Sequence, residues 1–244
     1  MPQQKRASEE QLHSFADRLR EAAGNNLLSL ILYGSAASGE ADSYSDLNLL
    51  CVLRDLSFSH LLPLSNVVDS WIKQRQRPPL LISEKELRDS ADVFSIELLD
   101  MKQHHKVLFG KDLLNDLPVP MHMHRAQVEY ELREKLILLR QRLLLAANDE
   151  ARIWDLLLHS FPAFITLLRH VLVAQGKPVP MTRAETIKAL IAESESDADL
   201  FHQLLEARKE PKRAKTLNAK NAARQYLAFA ERLTELVDGL PDSR

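Results

Sequence analysis

The spacing of hydrophobic residues changes about halfway along the chain. Up to residue 118, short apolar runs such as LLSLILYG at residues 27–34 are separated by turn residues, which is typical of buried strands. From His124 onward the apolar residues recur at helical spacing, as in LILLRQRLLLAA. The pattern predicts an N-terminal α/β domain over residues 1–118 and an all-α helical bundle over residues 122–240.

The N-terminal half carries signals for both helices and strands. A helix is predicted from Ser8 to Ala23, because Ser8 and Gln11 form a capping-box pattern and Gly24 stops the helix. The other elements predicted in this half are strands over residues 27–34, 46–53, 80–83 and 92–100 and a helix over residues 61–76.

The C-terminal half carries no strand signal after Pro118 and Pro120. Its apolar residues follow the period of an α-helix, and Pro162 is predicted to kink the second of these helices. The helices are predicted over residues 124–147, 149–176, 182–193, 200–208 and 221–237.

Composition places the chain among ordinary globular proteins. It has 244 residues, 45% of them hydrophobic and 27% charged, and its net charge of −2 gives no global attraction to nucleic acid or to an anionic membrane. The single cysteine, Cys51, excludes an internal disulfide and fits a reducing compartment. The N-terminus has no apolar signal region, and Arg169 and His170 interrupt the most apolar segment. We therefore expect a cytoplasmic protein that does not enter a membrane.

Candidate chemistry begins at the turn after the first strand, GSAASGEA. Gly34 and Gly39 have the spacing of a P-loop, but Glu40 and Ala41 stand where that loop needs its lysine and its serine or threonine. No G-x-G-x-x-G fingerprint is present either. A turn at Gly34 and Ser35 can instead offer backbone N–H groups and a hydroxyl to phosphate oxygens.

The second strand adds oxygen ligands to this turn. Asp46 and Asn48 are two residues apart and are predicted to point from one face of the strand. Such a pair can hold Mg²⁺, which binds a triphosphate and activates an attacking hydroxyl. A third carboxylate on a neighbouring strand would complete the metal shell, and Glu97 is the candidate.

These residues lie in a recognisable pattern. LYGSAASGEADSYSDLNLLCVL resembles the G-S-x(n)-S-D-x-D-[LI] signature of the DNA polymerase β-like nucleotidyltransferase superfamily. IELLDMKQHHKVLFGKD is similar to a later segment of its small bacterial members, an acid-bearing strand followed by a VL-[YF]-G turn. Together the resemblance covers about residues 27–112. It implies a mixed sheet, a nucleoside triphosphate held with Mg²⁺, and transfer of NMP to a hydroxyl. Relatives such as kanamycin nucleotidyltransferase carry a helical C-terminal domain after this core.

The resemblance also assigns roles to residues of this chain. It implies nucleotide binding by Gly34, Ser35 and Ser45, and metal binding and catalysis by Asp46, Asn48 and Glu97. Asn48 is the departure, because it stands where the superfamily has its second aspartate. An amide oxygen can still bind Mg²⁺, but it brings no charge.

Two functions therefore stay open for the N-terminal half. One is Mg²⁺-dependent transfer of NMP, impaired at Asn48, to a small molecule, a protein or an RNA end. The other is a catalytically inactive protein that senses a nucleotide or binds a partner. A homodimer is compatible with either function.

The helical half offers weaker candidates. Arg152 and His159 resemble the R-x(4–6)-H motif of HEPN domains, helical bundles that in some cases cleave RNA or act in toxin-antitoxin pairs. The same two residues can equally make structural hydrogen bonds. Residues 208–224 carry seven Lys or Arg, which indicates either a phosphate-facing patch or a solvated connection.

Two further groups of titratable side chains lie near the start of this half. An acid of the helical domain can act as general base in aminoglycoside-modifying relatives, and Glu129, Glu131 and Glu134 are the candidates here. His122 and His124 lack the additional ligands of a zinc site, so we expect them to be exposed in a linker.

Overall fold

The computed structural model of the chain describes residues 9–40, 46–178, 180, 182–191, 195–210 and 218–241, with the backbone alone at residues 190, 191 and 195–198. The chain forms two compact units, Met1–Pro120 and Met121–Arg244.

The N-terminal unit alternates helices with the strands of one sheet. A short 3₁₀ turn follows the first helix and another precedes the fourth. Its elements are α1 (Glu9–Ala23), β1 (Leu27–Tyr33), α2 (Ser35–Ser38), β2 (Asn48–Leu53), α3 (Phe58–Leu61), α4 (Ser65–Lys73), β3 (Leu80–Ser83), α5 (Glu84–Asp89), α6 (Ser95–Gln103) and β4 (His105–Gly110).

The sheet of this unit has four strands in the order β3-β2-β1-β4. β1 is antiparallel to both β2 and β4, whereas β2 and β3 are parallel, so the predicted mixed sheet is confirmed. Leu30 lies opposite Cys51 and Tyr33 lies opposite Asn48 in the β1–β2 register. This register places the end of β1 beside the beginning of β2.

Both faces of the sheet are covered, which explains why β1 is apolar at nearly every position. Leu30 points into one core, where Phe15 of α1 and Trp71 of α4 lie with their ring centroids 4.4 Å apart. Ile31 points into the other, where it packs with Leu98 of α6. A strand buried on two faces needs apolar side chains on both.

The strand predicted over residues 92–100 is wrong, because this segment enters helix α6 at Ser95. Leu98 and Met101 are three residues apart and both pack into the core under the sheet, which is helical rather than strand spacing. The edge strand is instead β4, formed by the next segment, which the sequence indicated as a turn. Glu97 is therefore on a helix.

The C-terminal unit is helical in the part of the chain that the structure describes, as predicted. Asp149 and Asn218 cap the second and the fifth of its helices by accepting hydrogen bonds from the backbone N–H groups of Arg152 and Asn221. Its helices are α7 (His124–Ala146), α8 (Glu150–Ala174), α9 (Arg183–Ile191), α10 (Glu195–Lys209) and α11 (Ala219–Asp238).

α8 is the central helix of this unit and contains Pro162. By length and composition it could cross a membrane, and 61% of its apolar window is buried inside the structure. Arg169 and His170, which interrupt the apolar run, are themselves buried, with 5% and 1% of their surfaces exposed.

Arg208 also belongs to the core of the helical unit. It is 1% exposed and its guanidinium donates a hydrogen bond to the carbonyl of Leu158. The nearby ring of Tyr226 packs against Phe201, with ring centroids 5.8 Å apart. Both alternatives for residues 208–224, a phosphate-facing patch and a solvated connection, are therefore wrong at Arg208, because both would leave it exposed. Residues 211–217 lie outside the described part of the chain.

His124 is buried rather than exposed in a linker, so that prediction is wrong. It begins α7 with 1% of its surface exposed, and its ring centroid lies 5.1 Å from that of His170. Burial, with a smaller effect of His170, lowers the pKa of His124 from 6.5 to about 4.

Acid should destabilise the helical unit through His124. The unfolded chain takes up a proton on this histidine below pH 6.5, whereas the folded chain does so only below about pH 4. The contribution of His124 to the free energy of unfolding, about 3 kcal/mol, is fully present above pH 6.5 and is lost as the pH falls to 4. Urea unfolding of the wild type and His124→Gln at pH 7 and 4.5 measures this, and equal pH dependence in both would contradict it.

Candidate functional site

Gly34 turns the chain sharply at the end of β1. Its backbone dihedrals, φ 76° and ψ −154°, lie in a region that is essentially restricted to glycine. Its carbonyl accepts hydrogen bonds from the N–H groups of Ala37 and Ser38, at 2.9 and 3.1 Å, which closes the one-turn helix α2. Its own N–H donates to the carbonyl of His104, at 3.0 Å. The N–H groups of Ser35 and Ala36 have no acceptor within the helix. They, rather than the N–H of Gly34, are the donors that this turn can offer to a phosphate.

Asn48 lies directly against this turn. It pairs with Tyr33 across the sheet, and a Cβ built on Gly34 would be 3.3 Å from Asn48 Nδ2. Asp46 precedes it on the segment that enters β2, with 18% of its side chain exposed. The structure thus brings Gly34, Asn48 and Asp46 to one end of the β1–β2 pair, as the sequence predicts, while Ser45 lies outside the described residues.

Arg77 is the site residue that sequence reasoning missed. Its Nε lies 2.7 Å from Asp46 Oδ2 in an ion pair. The backbone of Arg77 is fixed from the core, because the indole N–H of Trp71 donates to its carbonyl at 2.9 Å. The signal was the sequence RPP before β3, which becomes meaningful only once β3 is known to run parallel beside β2.

Glu97 is exposed on α6 rather than on a neighbouring strand. The same helix packs on the sheet face that carries Tyr33 and Leu50. Burial raises the pKa of Tyr33, while the charge of Arg77 lowers it and that of Glu97 raises it. Arg77 and Glu97 therefore both act on Tyr33, the residue that faces Asn48 across the strand pair.

The predicted magnesium ligands do not fit a metal site. Within the described residues, no group of three or more Asp, Glu, His or Cys side chains is arranged to hold a metal ion. Asp46 is engaged by Arg77, Asn48 is uncharged, and Glu97 is exposed on the helix α6. The strand beside β2 brings no acid either, since β3 reads LLIS and its Leu80 lies beside Leu50.

A separate cavity of about 460 Å³ opens at the other end of β1 and is lined in part by Leu27 and Lys111. Acidic and basic side chains in its wall pair locally, as Arg88 does with Glu84 at 3.1 Å. This balance of charge gives no indication of a ligand.

The side chains singled out in the helical unit are engaged in local ion pairs. Arg152 pairs with Asp149 and His159 with Asp155, both at 3.2 Å, and both basic side chains are more than half exposed. Contacts of this kind agree with a structural role for Arg152 and His159. RNA cleavage stays an untested prediction.

The candidate general bases of α7 are held in the same way. Glu129 accepts hydrogen bonds from Arg133 and Arg125, which lower its pKa and make it a poorer proton acceptor. Glu131 and Glu134 both pair with Lys135, at 3.1 and 2.5 Å.

Comparison with solved structures bears on the fold of nearly the whole chain. It matches the crystal structure of spectinomycin adenyltransferase AAD(9) from Enterococcus faecialis, determined with ATP and spectinomycin, with a TM-score of 0.63. The match covers 95% of this chain and 100% of that chain, at 16% sequence identity. No family model and no curated protein sequence matches the chain. The likeness confirms the predicted fold, a mixed sheet flanked by helices and followed by a helical bundle.

Proposed function

We propose that the chain binds a nucleoside triphosphate at the Gly34 turn and that its transfer of NMP to a hydroxyl is impaired or lost. The observation that carries this proposal is the state of the two positions that would hold Mg²⁺. Asp46 is neutralised by Arg77 at 2.7 Å, and Asn48 carries no charge. A triphosphate needs positive charge around it, and two-metal transfer needs at least two carboxylates to hold the ions.

Nucleotide binding is supported by the fold and by the shape of the turn. The adenyltransferase with this fold was crystallised with ATP. In this chain Gly34 brings backbone close to Asn48, and the absent side chain leaves that approach open. A phosphate held by the N–H groups of this turn would therefore lie beside Asn48.

Residual transfer is the second candidate, and the position of Glu97 favours it. Its charge reaches Tyr33, so a carboxylate stands on the same side of the sheet as Asn48. Of the acceptors that the sequence leaves open, a small hydroxylated molecule is favoured, because the adenyltransferase with the same fold over its full length was crystallised with spectinomycin.

Calorimetric titration with ATP tests the binding site. We expect the wild type to bind, and Gly34→Ala to weaken binding at least 10-fold, because the new Cβ would stand 3.3 Å from Asn48 Nδ2. Gly39→Ala is the matched control, since Gly39 has φ +79° but open space around its Cβ position. Gly39→Ala should lose about 1 kcal/mol of stability, because its φ and ψ are those of the left-handed region. Gly34→Ala should lose more, about 2–3 kcal/mol, because its φ and ψ lie where only glycine is unstrained.

The proposal fails if the wild type does not bind ATP with or without Mg²⁺ and Asn48→Asp does not restore binding. Equal loss of affinity in Gly34→Ala and Gly39→Ala would place the nucleotide elsewhere. Vigorous transfer of labelled nucleotide by the wild type would exclude an impaired site.

A further inference from the structure

The positive charge beside Asp46 is supplied by the protein itself. Arg77 Nε lies 2.7 Å from Asp46 Oδ2, and the two side chains are 66% and 18% exposed. The carboxylate is thus mostly covered while the guanidinium faces solvent. An additional anion could therefore reach Arg77 without displacing Asp46.

The fold fixes Arg77 at this place. β3 runs parallel to β2 with Leu80 beside Leu50, so the residues before β3 run along the beginning of β2. Trp71, 1% exposed in the core, donates to the Arg77 carbonyl at 2.9 Å, and two prolines follow Arg77. A backbone held on both sides keeps the exposed side chain of Arg77 within reach of Asp46, whose carboxylate is mostly covered.

The charge of Arg77 also reaches the Gly34 turn. It acts on the hydroxyl of Tyr33, which precedes Gly34 and faces Asn48 across the strand pair. Arg77 therefore acts on the residues around the Gly34 turn, where the nucleotide is proposed to bind. Asn48, which stands in place of a second carboxylate, lies at the same turn.

We propose, on the basis of the nucleotide binding proposed above, that Arg77 is a resident cation that takes the phosphate charge in place of a divalent ion. The guanidinium has five N–H donors, and Asp46 engages Nε. Its terminal nitrogens can bind two phosphate oxygens in the planar geometry that makes arginine a strong phosphate ligand. Nucleotide binding by this chain then requires no Mg²⁺.

Titration with ATP in EDTA and in Mg²⁺ tests the resident cation. We expect the wild-type Kd to differ less than 3-fold between the two conditions. Arg77→Gln should weaken binding in EDTA at least 10-fold, and Arg77→Lys should lie between, because lysine keeps the charge but not the planar donors. Arg75→Gln, which removes the same charge two residues away, should bind like the wild type, and thermal unfolding confirms that each variant is folded.

Three results are decisive against the idea. A wild type that binds ATP only with Mg²⁺ overturns the resident cation but keeps the proposed function. An Arg77→Gln variant that binds as tightly as the wild type, or more tightly, makes Arg77 neutral or inhibitory and overturns it as well. A wild type that binds ATP under neither condition removes the nucleotide site, and with it both proposals.

Discussion

Gly110→Ala is expected to destabilise the N-terminal unit by about 3 kcal/mol or more. Gly110 ends β4 with φ +81°, and it lies opposite Ser29 in the sheet. A Cβ at this position would be 2.0 Å from the carbonyl oxygen of Leu28 and 2.9 Å from its carbonyl carbon. Both neighbours are backbone atoms of the central strand, so no side chain can move aside, and β4 would have to separate from β1.

Gly24→Ala is the matched control for this effect. Gly24 also has a positive φ, +53°, but no atom lies within 4 Å of its Cβ position. It should therefore lose only about 1 kcal/mol, the cost of the backbone conformation alone. Urea unfolding of both variants and the wild type measures the difference. Similar losses in the two would show that the approach of Gly110 to Leu28 does not matter for stability.

Gly110 illustrates what the sequence can and cannot predict about the sheet. β1 and β2 could be predicted because their apolar runs are bounded by turn residues within one short segment. The glycine at residue 110 was visible as part of the VLFG resemblance, but its physical reason is a contact with Leu28, more than 80 positions away in the chain. Contacts of that kind leave no local pattern in a single sequence.

The prediction of a strand over residues 92–100, where the structure has α6, failed for a different reason. Its apolar residues satisfy both strand and helix spacing over a short window, so periodicity alone cannot decide between them. The sheet beneath decides, because Leu98 and Met101 pack together on its face only in a helix. Glu97 consequently lies on a helix and not on the strand that the metal-site prediction needed.

In the candidate site, too, the residues of one local motif could be predicted, whereas a residue brought in by strand pairing could not. Gly34, Asp46 and Asn48 could be placed together because they occur within one continuous motif that bridges two paired strands. Arg77 could not, because its position depends on the parallel pairing of β2 with β3. The sequence therefore predicted the turn and the missing charge at Asn48, but not the positive charge of Arg77 beside Asp46, which bears directly on whether the site can hold a metal.

In the helical unit the pattern predicted the helices but not their polar core. The helical period of the apolar residues is strong enough to place each helix. Arg208 and His124 are buried although the sequence predicts them at the surface, since charged and titratable side chains are usually exposed. Their burial depends on partners from other helices, such as the Leu158 carbonyl and the His170 ring.

The double variant Asn48→Asp/Arg77→Gln is expected to bind Mg²⁺ at least ~30-fold more tightly than the wild type. The side chains at positions 46, 48 and 77 carry no net charge in the wild type, in which Arg77 pairs with Asp46 at 2.7 Å. In the variant they carry two negative charges. Two unit charges of opposite sign about 4 Å apart attract each other by about 4 kcal/mol at an effective dielectric constant of 20. The loss of water around the carboxylates and the ion offsets a large part of this attraction. Mg²⁺ titration by calorimetry measures the affinity, and labelled ATP with a small hydroxylated acceptor reports any gain of transfer.

The single variants separate the two contributions to metal binding. Asn48→Asp alone should gain less than the double variant, because Arg77 still neutralises Asp46, and Arg77→Gln alone should gain less because Asn48 remains uncharged. A wild type that binds Mg²⁺ as tightly as the double variant would contradict the expectation, since a third ligand would then have to hold the ion independently of residues 48 and 77. A gain in Asn48→Asp equal to that of the double variant would show that Arg77 leaves Asp46 when a cation arrives.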